Sequence, residues 1–259
     1  MQNSLSPQFW FSWRHQLKAF SDDYHVVAVD LRGYNQTERP PRVRDYVLAT
    51  LRQDVAQLIP ALGHQRATLV AHDWGAVIAW AVTQHHPELV EKLVVMNCPH
   101  PRLFQHSITS NWSQLMKSWY VFLFQVPRLP EFLLSYRDYG YFSAVFRGRK
   151  GGVKNLSTFP KEEVEAYKYV FSQPNALSGP LNFYRCIFND PAEYQHPQGN
   201  IDTPTLILWG DDDPFLGMDM ANAHAAFATD LTVRHFPNCS HWVQHERSEE
   251  VNQYIKDFL

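Results

Sequence analysis

The chain has 259 residues, 45% of them hydrophobic and 14% aromatic, which is enough for one large core or a core with a small inserted domain and too little for three domains. A formal net charge of -3, with both signs mixed along the chain, excludes the electrostatic footprint of a nucleic-acid binder and a polybasic membrane patch, and leaves a small molecule as the expected partner. Cys98, Cys186 and Cys239 are odd in number and far apart, so neither a disulfide framework nor a metal site is expected, and a reduced compartment fits best.

The polar start Met1-Gln2-Asn3-Ser4 has no signal-peptide pattern. Tyr24-His25-Val26-Val27-Ala28-Val29-Asp30 is a short apolar block closed by the turn Leu31 to Asn35, the pattern of a buried strand. Helical spacing follows over residues 51–62. Ala67 to Ala71 reads as a second strand, Val77 to Val82 as the helix after it, and Leu93 to Asn97 as a third strand. From about residue 104 to 190 the chain is rich in Phe, Tyr, Leu and Trp at helical spacing with no convincing strand, which predicts a helical insertion, with Arg147 to Gly152 as an exposed loop within it. Its most apolar run, Tyr120 to Val126, is far short of the roughly 20 residues of a membrane span, so the chain reads as soluble and cytoplasmic. Thr205 to Trp209 and Leu231 to Phe236 give a fourth and fifth strand, with helices predicted over 217–228 and 248–258. Strand alternating with helix implies an α/β fold with a mostly parallel sheet covered on both faces.

Three weak signals combine in chain order. Ala71-His72-Asp73-Trp74-Gly75 puts small residues two before and two after Asp73, between a strand and a helix. A sharp strand-to-helix turn needs such small flanks, because it brings the two backbones close while pushing the middle side chain into a site. Asp is also a favoured N-cap residue, so capping is the plainer account of Asp73. Asp211-Asp212-Asp213 lies past the carboxyl end of a later strand, where α/β sheets hold ligands, although it also fits a solvated turn. His241 lies just beyond the last strand, in Asn238-Cys239-Ser240-His241-Trp242. The order nucleophile, acid, histidine is that of a hydrolytic triad.

The Asp30-Leu31-Arg32-Gly33-Tyr34 turn, the His72 to Ala76 elbow, Asn97-Cys98-Pro99-His100-Pro101 and the Trp209 and His241 segments resemble an α/β-hydrolase-fold epoxide hydrolase. Phe171 to Pro174 and Gly179 to Arg185 resemble the lid of the membrane-anchored animal epoxide hydrolases, types three and four. The resemblance implies a core over 1–103 and 191–259 with a helical lid over 104–190, Tyr184 and Tyr120 as lid tyrosines, Trp74 and Ser6 at the substrate and oxyanion site, lipid epoxides such as epoxy fatty acids as substrates, and no metal or organic cofactor. It also implies an ester on Asp73, formed because a carboxylate is ionised at neutral pH and needs no base to attack, and hydrolysed by water that His241, oriented by Asp213, activates.

The family pattern places a strand ending in His-Gly-x-Pro before Trp10-Phe11-Ser12-Trp13-Arg14, and here the residues are Ser4-Leu5-Ser6-Pro7. By that comparison the chain is N-terminally truncated, the first strands of the sheet and an upstream endoplasmic-reticulum anchor are missing, and the strands ending at Asp30 and Ala71 either lose ladder partners or pair directly. Haloalkane dehalogenase, which shares Asp followed by Trp at the elbow, is an alternative; so is a catalytically inactive homologue. Asn35 stands where the family has Gly, and Asn tolerates a left-handed backbone.

Overall fold

Four apolar runs form the sheet of the computed structural model, which describes residues 8–188 and 200–259. They are β1 (Ala67–His72), β2 (Val90–Met96), β3 (Thr205–Gly210) and β4 (Leu231–Phe236), hydrogen bonded in chain order and parallel throughout. The register sets Leu69 beside Leu93, Val94 beside Leu206 and Ile207 beside Val233. Strand side chains alternate in direction, so one sheet makes two cores. Leu93, Val95, Ile207 and Trp209 point into one, and Val94, Met96, Leu206 and Leu208 into the other. The first core is covered by α2 (Leu48–Ala61), α3 (Trp74–His85) and the helical insertion; the second is closed by Phe20 of α1 (Arg14–Phe20) and by Val251 and Ile255 of α12 (Ser248–Phe258). Both faces being covered, β3 is buried along its whole length.

The predicted strand at Tyr24 to Asp30 is not formed: this stretch runs beside the sheet without a ladder partner among the described residues. A cavity of about 520 Å³ lies there, lined by Val26, Val27, Ala28 and Val29 on one side and by Ala67 to His72 on the other. A strand exists only by pairing, and across this cavity Val26 to Val29 meet no hydrogen-bonded strand among the described residues. β1 is consequently an edge, with Thr68, Leu69 and Val70 only half-buried, and Val27 and Val29 are exposed.

Between β2 and β3 the described chain is helical: α4 (Pro101–Ser110), α5 (Trp112–Lys117), α6 (Trp119–Leu123), α7 (Leu129–Arg147), α8 (Lys161–Phe171) and α9 (Ser178–Cys186). α7 is interrupted at Tyr136 to Tyr139, where the backbone leaves the helical region. Aromatic pairs hold the insertion together, with Phe146 stacked on Phe159 at 4.3 Å and Phe142 on Phe171 at 4.9 Å. The loop predicted to be exposed at Arg147 to Gly152 is so only at Arg149 and Lys150. Gly151 and Gly152 are buried, because Trp242 Nε1 donates to the carbonyls of Gly151 (3.3 Å) and Val145 (3.2 Å) and pulls the turn inward. The helix predicted over 217–228 is shorter: α10 (Asp219–Ala223) ends in a 3₁₀ turn at His224–Ala226.

One backbone contact sets the lid against the core. Gly33, at φ +86°, meets Gly179 at the start of α9 so closely that a Cβ on Gly179 would lie 2.3 Å from the Gly33 carbonyl oxygen. Backbone stands on both sides, so nothing flexible can yield. Gly179→Ala is expected to cost about 3 kcal/mol, the upper range for overpacking, and to displace Tyr184 five residues on. A melting temperature and a turnover rate equal to the parent's would show that α9 can shift freely.

Candidate active site

The elbow between β1 and α3 turns on Asp73, at φ 50° and ψ -126°. A residue with a Cβ adopts this region only when its surroundings enforce it, and the flanks Ala71 and Gly75 leave room for the turn. The capping account of Asp73 fails, since its carboxylate makes no cap hydrogen bond to α3. Instead Asp73 Oδ2 accepts from Nε2 of His241 at 3.0 Å, and His241 Nδ1 donates to Asp213 Oδ2 at 2.7 Å. Three segments, the first 168 residues from the last and the second 28 from it, thus close a single line of hydrogen bonds.

Asp213 is buried in the turn after β3 and is held by donors. Its Oδ1 accepts from the backbone N–H groups of Phe215 (2.7 Å) and Leu216 (3.1 Å), and its Oδ2 from Asn97 Nδ2 (2.7 Å) as well as from His241. Burial alone would raise its pKa; charged His241 and these donors reverse that and hold it below the usual carboxylate range. Asn97, with φ 39° at the end of β2, also accepts from Gly210 N at 2.9 Å, so it ties the acid turn to the sheet. The sequence shows Asn97 as the last residue of the third predicted strand and as part of a family motif, without this role; its position one residue past the buried strand is the available signal.

The two histidines at the centre have opposite fates. Burial lowers the pKa of His241, but the carboxylates of Asp213 and Asp73 outweigh it and raise the value to about 10, so both ring nitrogens carry hydrogen and both donate. His72, whose ring centroid is 4.5 Å away, is held down to about 3, first by burial and then by the charge on His241. It is a neutral imidazole that donates Nε2–H to the His241 carbonyl at 2.8 Å and accepts at Nδ1 from Gln8. His72 therefore fixes the backbone of the loop that carries His241, a second role not read from the sequence.

Two further histidines are buried uncharged, His224 at about 4 and His245 well below the ordinary 6.5, both chiefly through burial. For His72, His224 and His245 the folded pKa lies below the unfolded one. The stability they permit is complete above pH 6.5 and is lost as pH falls toward 4 and 3. At pH 5 His72 and His224 are each expected to cost about 2 kcal/mol and His245 to act in the same direction, so the melting temperature should drop steeply from pH 7 to 5. His241 has the opposite sign, stabilising below pH 6.5 and progressively less toward pH 10. A flat profile from pH 7 to 5 would contradict the neutral assignment of the three.

Tyr120 of α6 and Tyr184 of α9 face each other over the elbow, with rings 5.9 Å apart. Tyr184 stands edge-on to Trp74 at 5.1 Å, and Tyr120 edge-on to Phe215, which in turn lies against His241 at 5.3 Å. Both tyrosines are buried, and burial together with the nearby Asp73 carboxylate raises the Tyr184 phenol well above its ordinary range. It is held as a proton donor. Trp74 opens α3, where a backbone N–H has no partner within the helix. Ser6 lies outside the described residues. Among the described residues there is no cluster of His, Cys, Asp and Glu that could hold a metal, and Cys98, Cys186 and Cys239 are separate buried thiols.

The alpha/beta hydrolase fold family matches residues 8–248. The chain is 42% identical over 253 residues to epoxide hydrolase 2 of Caenorhabditis elegans, covering 98% of this chain and 71% of that protein. It is 43% identical over 260 residues to epoxide hydrolase 3 of Xenopus tropicalis, covering 98% and 69%. Among solved structures it is similar to the Bacillus megaterium epoxide hydrolase in complex with an inhibitor, with a TM-score of 0.87 and 32% identity over 98% of this chain and 90% of that one.

Proposed function

Because this chain belongs to the alpha/beta hydrolase fold family and, within it, to the epoxide hydrolases, we propose that Asp73 opens an epoxide as a nucleophile and that His241 returns the enzyme by hydrolysing the resulting ester. The observation that carries this reading is the Asp73 carboxylate, freed from helix capping and aimed at His241, beneath two lid phenols.

In the first half-reaction an Asp73 oxygen forms a bond to one ring carbon while the carbon–oxygen bond of the epoxide breaks. The departing oxygen takes a proton from Tyr184 or Tyr120, which are buried at the elbow and held protonated until negative charge develops beside them, and a tyrosinate is left. Esterification removes the charge on Asp73, and with it one of the interactions that keep His241 protonated. His241 then gives its Nε2 proton to the tyrosinate left by ring opening, which restores the phenol, and becomes a base. Asp213 keeps the remaining N–H at Nδ1, which leaves Nε2 facing the ester to accept a proton from water. Water adds to the ester carbonyl, the Trp74 N–H stabilises the oxyanion, and collapse releases a vicinal diol and the Asp73 carboxylate. One water is consumed and no redox change occurs.

The walls around the elbow are Trp74, Phe124, Phe215 and the two tyrosines, all apolar or aromatic, which suits a lipid epoxide better than a charged one. The test is a single turnover with excess enzyme in ¹⁸O-labelled water. The label is expected in the Asp73 carboxylate, with the first diol unlabelled. Label in that first diol, or no diol at all, would refute the ester route.

A further inference from the structure

The balanced charge of the whole chain conceals a strong asymmetry in the lid. From Glu91 to Glu131 there is no Asp or Glu, while Lys92, Arg102, Lys117 and Arg128 fall in that interval. Glu131 itself is taken by Arg185 at 2.9 Å, and Asp138 by Lys168 at 3.1 Å. Lys117, Arg128 and Arg137 make no ion pair with another described residue.

These cations flank an apolar face. On α5, Trp112 and Met116 stand one turn apart and are 74% and 55% exposed. On α6, Phe122 is 52% exposed, while Tyr120 and Phe124 of the same short stretch are buried toward the elbow. On the first half of α7, Leu129, Phe132, Leu133 and Tyr136 follow the i, i+3, i+4, i+7 pattern of an apolar helix stripe. Such a stripe ordinarily faces a core, yet here Phe132 and Tyr136 are 60% and 54% exposed, and it is Pro130 and Leu134 that pack inward. Arg185 joins the elements by donating to the carbonyls of Phe124 and Val126 and to Glu131. Half-exposing five large aromatic or thioether side chains leaves several hundred Å² of apolar surface, about the size of a functional patch on a monomer.

We propose that this outer face of the lid docks on an anionic lipid bilayer, with Trp112, Met116, Phe122, Phe132, Leu133 and Tyr136 entering the interface and Lys117, Arg128 and Arg137 resting on the headgroups. Exposed aromatic side chains beside these cations, on a stretch with no Asp or Glu between residues 92 and 130, are complementary to such a surface. A second copy of the chain is a poorer occupant, because a two-fold contact on this face would bring the same three cations of each copy together. No described helix is long and apolar enough to cross a membrane, so the mode is lying on the surface. Because α6 carries Phe122 outward and Tyr120 inward, seating the lid on lipid moves the element that holds a phenol of the proposed reaction.

Binding is measured without turnover, so it stands or falls apart from the hydrolase reading. The purified chain is floated with phosphatidylcholine vesicles containing about one-third phosphatidylserine, and with phosphatidylcholine alone, at rising KCl. Flotation is expected with the anionic vesicles and should weaken with salt. Brominated lipid should quench a component of tryptophan emission that W112F lacks. The F132E/Y136E variant changes only exposed positions, and with an unchanged melting temperature it should bind about tenfold or more weakly. The proposal is overturned by any of three results: no flotation, flotation that F132E/Y136E leaves intact, or a parent dimer that this variant dissociates while vesicles capture neither protein.

Discussion

A His241→Gln chain exposed to an epoxide is expected to gain the mass of one epoxide molecule and to stop there. Ring opening needs the Asp73 carboxylate and the lid phenols, none of which the substitution removes. Hydrolysis needs a base at Nε2, and a glutamine amide supplies none. The ester should therefore persist, with its breakdown slowed by about 10³-fold or more, within the range of a lost general base. Intact mass followed by peptide mapping locates the adduct, which should fall on the peptide holding Asp73. The paired control is Asp73→Asn, which should show neither adduct nor diol. Burst kinetics separate the halves: one equivalent of epoxide per active site consumed at the parent's rate, then almost nothing. If the glutamine variant turns over steadily, or if the adduct maps elsewhere, His241 is not the base that releases Asp73.

Asp213→Asn should be nearly as damaging to turnover, for a different reason. The side chain keeps its shape, but one oxygen becomes an NH₂ group. Oδ1 is tied to the backbone N–H groups of Phe215 and Leu216, so the amide nitrogen falls on the Oδ2 side, where His241 Nδ1 and Asn97 Nδ2 both donate. Donor then faces donor at both contacts. His241 escapes by carrying its remaining proton on Nε2, the tautomer that cannot accept one from water there. A fall in turnover of about 10⁴-fold is expected, the size seen when a triad acid becomes an amide. Stability should fall by about 3 kcal/mol, because charge-assisted bonds are lost inside the protein. Ester breakdown in a single turnover and a thermal melt measure the two effects separately. Breakdown within tenfold of the parent would mean that Asp213 does not govern the tautomer.

Much of this was readable from residue types, for reasons that differ by element. The runs at Ala67, Leu93, Thr205 and Leu231 declare themselves because a parallel strand covered by helices tolerates few polar side chains, although the strand read from Leu93 begins at Val90, ahead of the polar Glu91 and Lys92. Asp73, Asp213 and His241 were legible from chain order, since the topology delivers the carboxyl ends of β1, β3 and β4 to one side of the sheet. Val26 to Val29 shows the limit of the same reasoning. Its composition is that of a strand, but a strand is a relation between two segments, and no composition reveals that the partner position is open. The Gly151–Gly152 turn misled in the opposite direction: glycine signals a turn, while its burial depends on Trp242, some ninety residues away in sequence. His72 and Asn97 act through backbone carbonyls and buried contacts, which leave little local pattern.

The open edge of β1 has a consequence for how long the molecule survives in concentrated solution. Among the described residues no strand pairs with the outer side of β1, and such an edge with half-buried Leu69 and Val70 is a template onto which an extended chain can add. Shelf life and catalytic competence are thereby linked, because β1 runs straight into the Asp73 elbow: a neighbour that zips along residues 67–72 pulls on the nucleophile's own hinge. Aging of the sample would then register as a shrinking count of active sites, with the survivors each working at full speed.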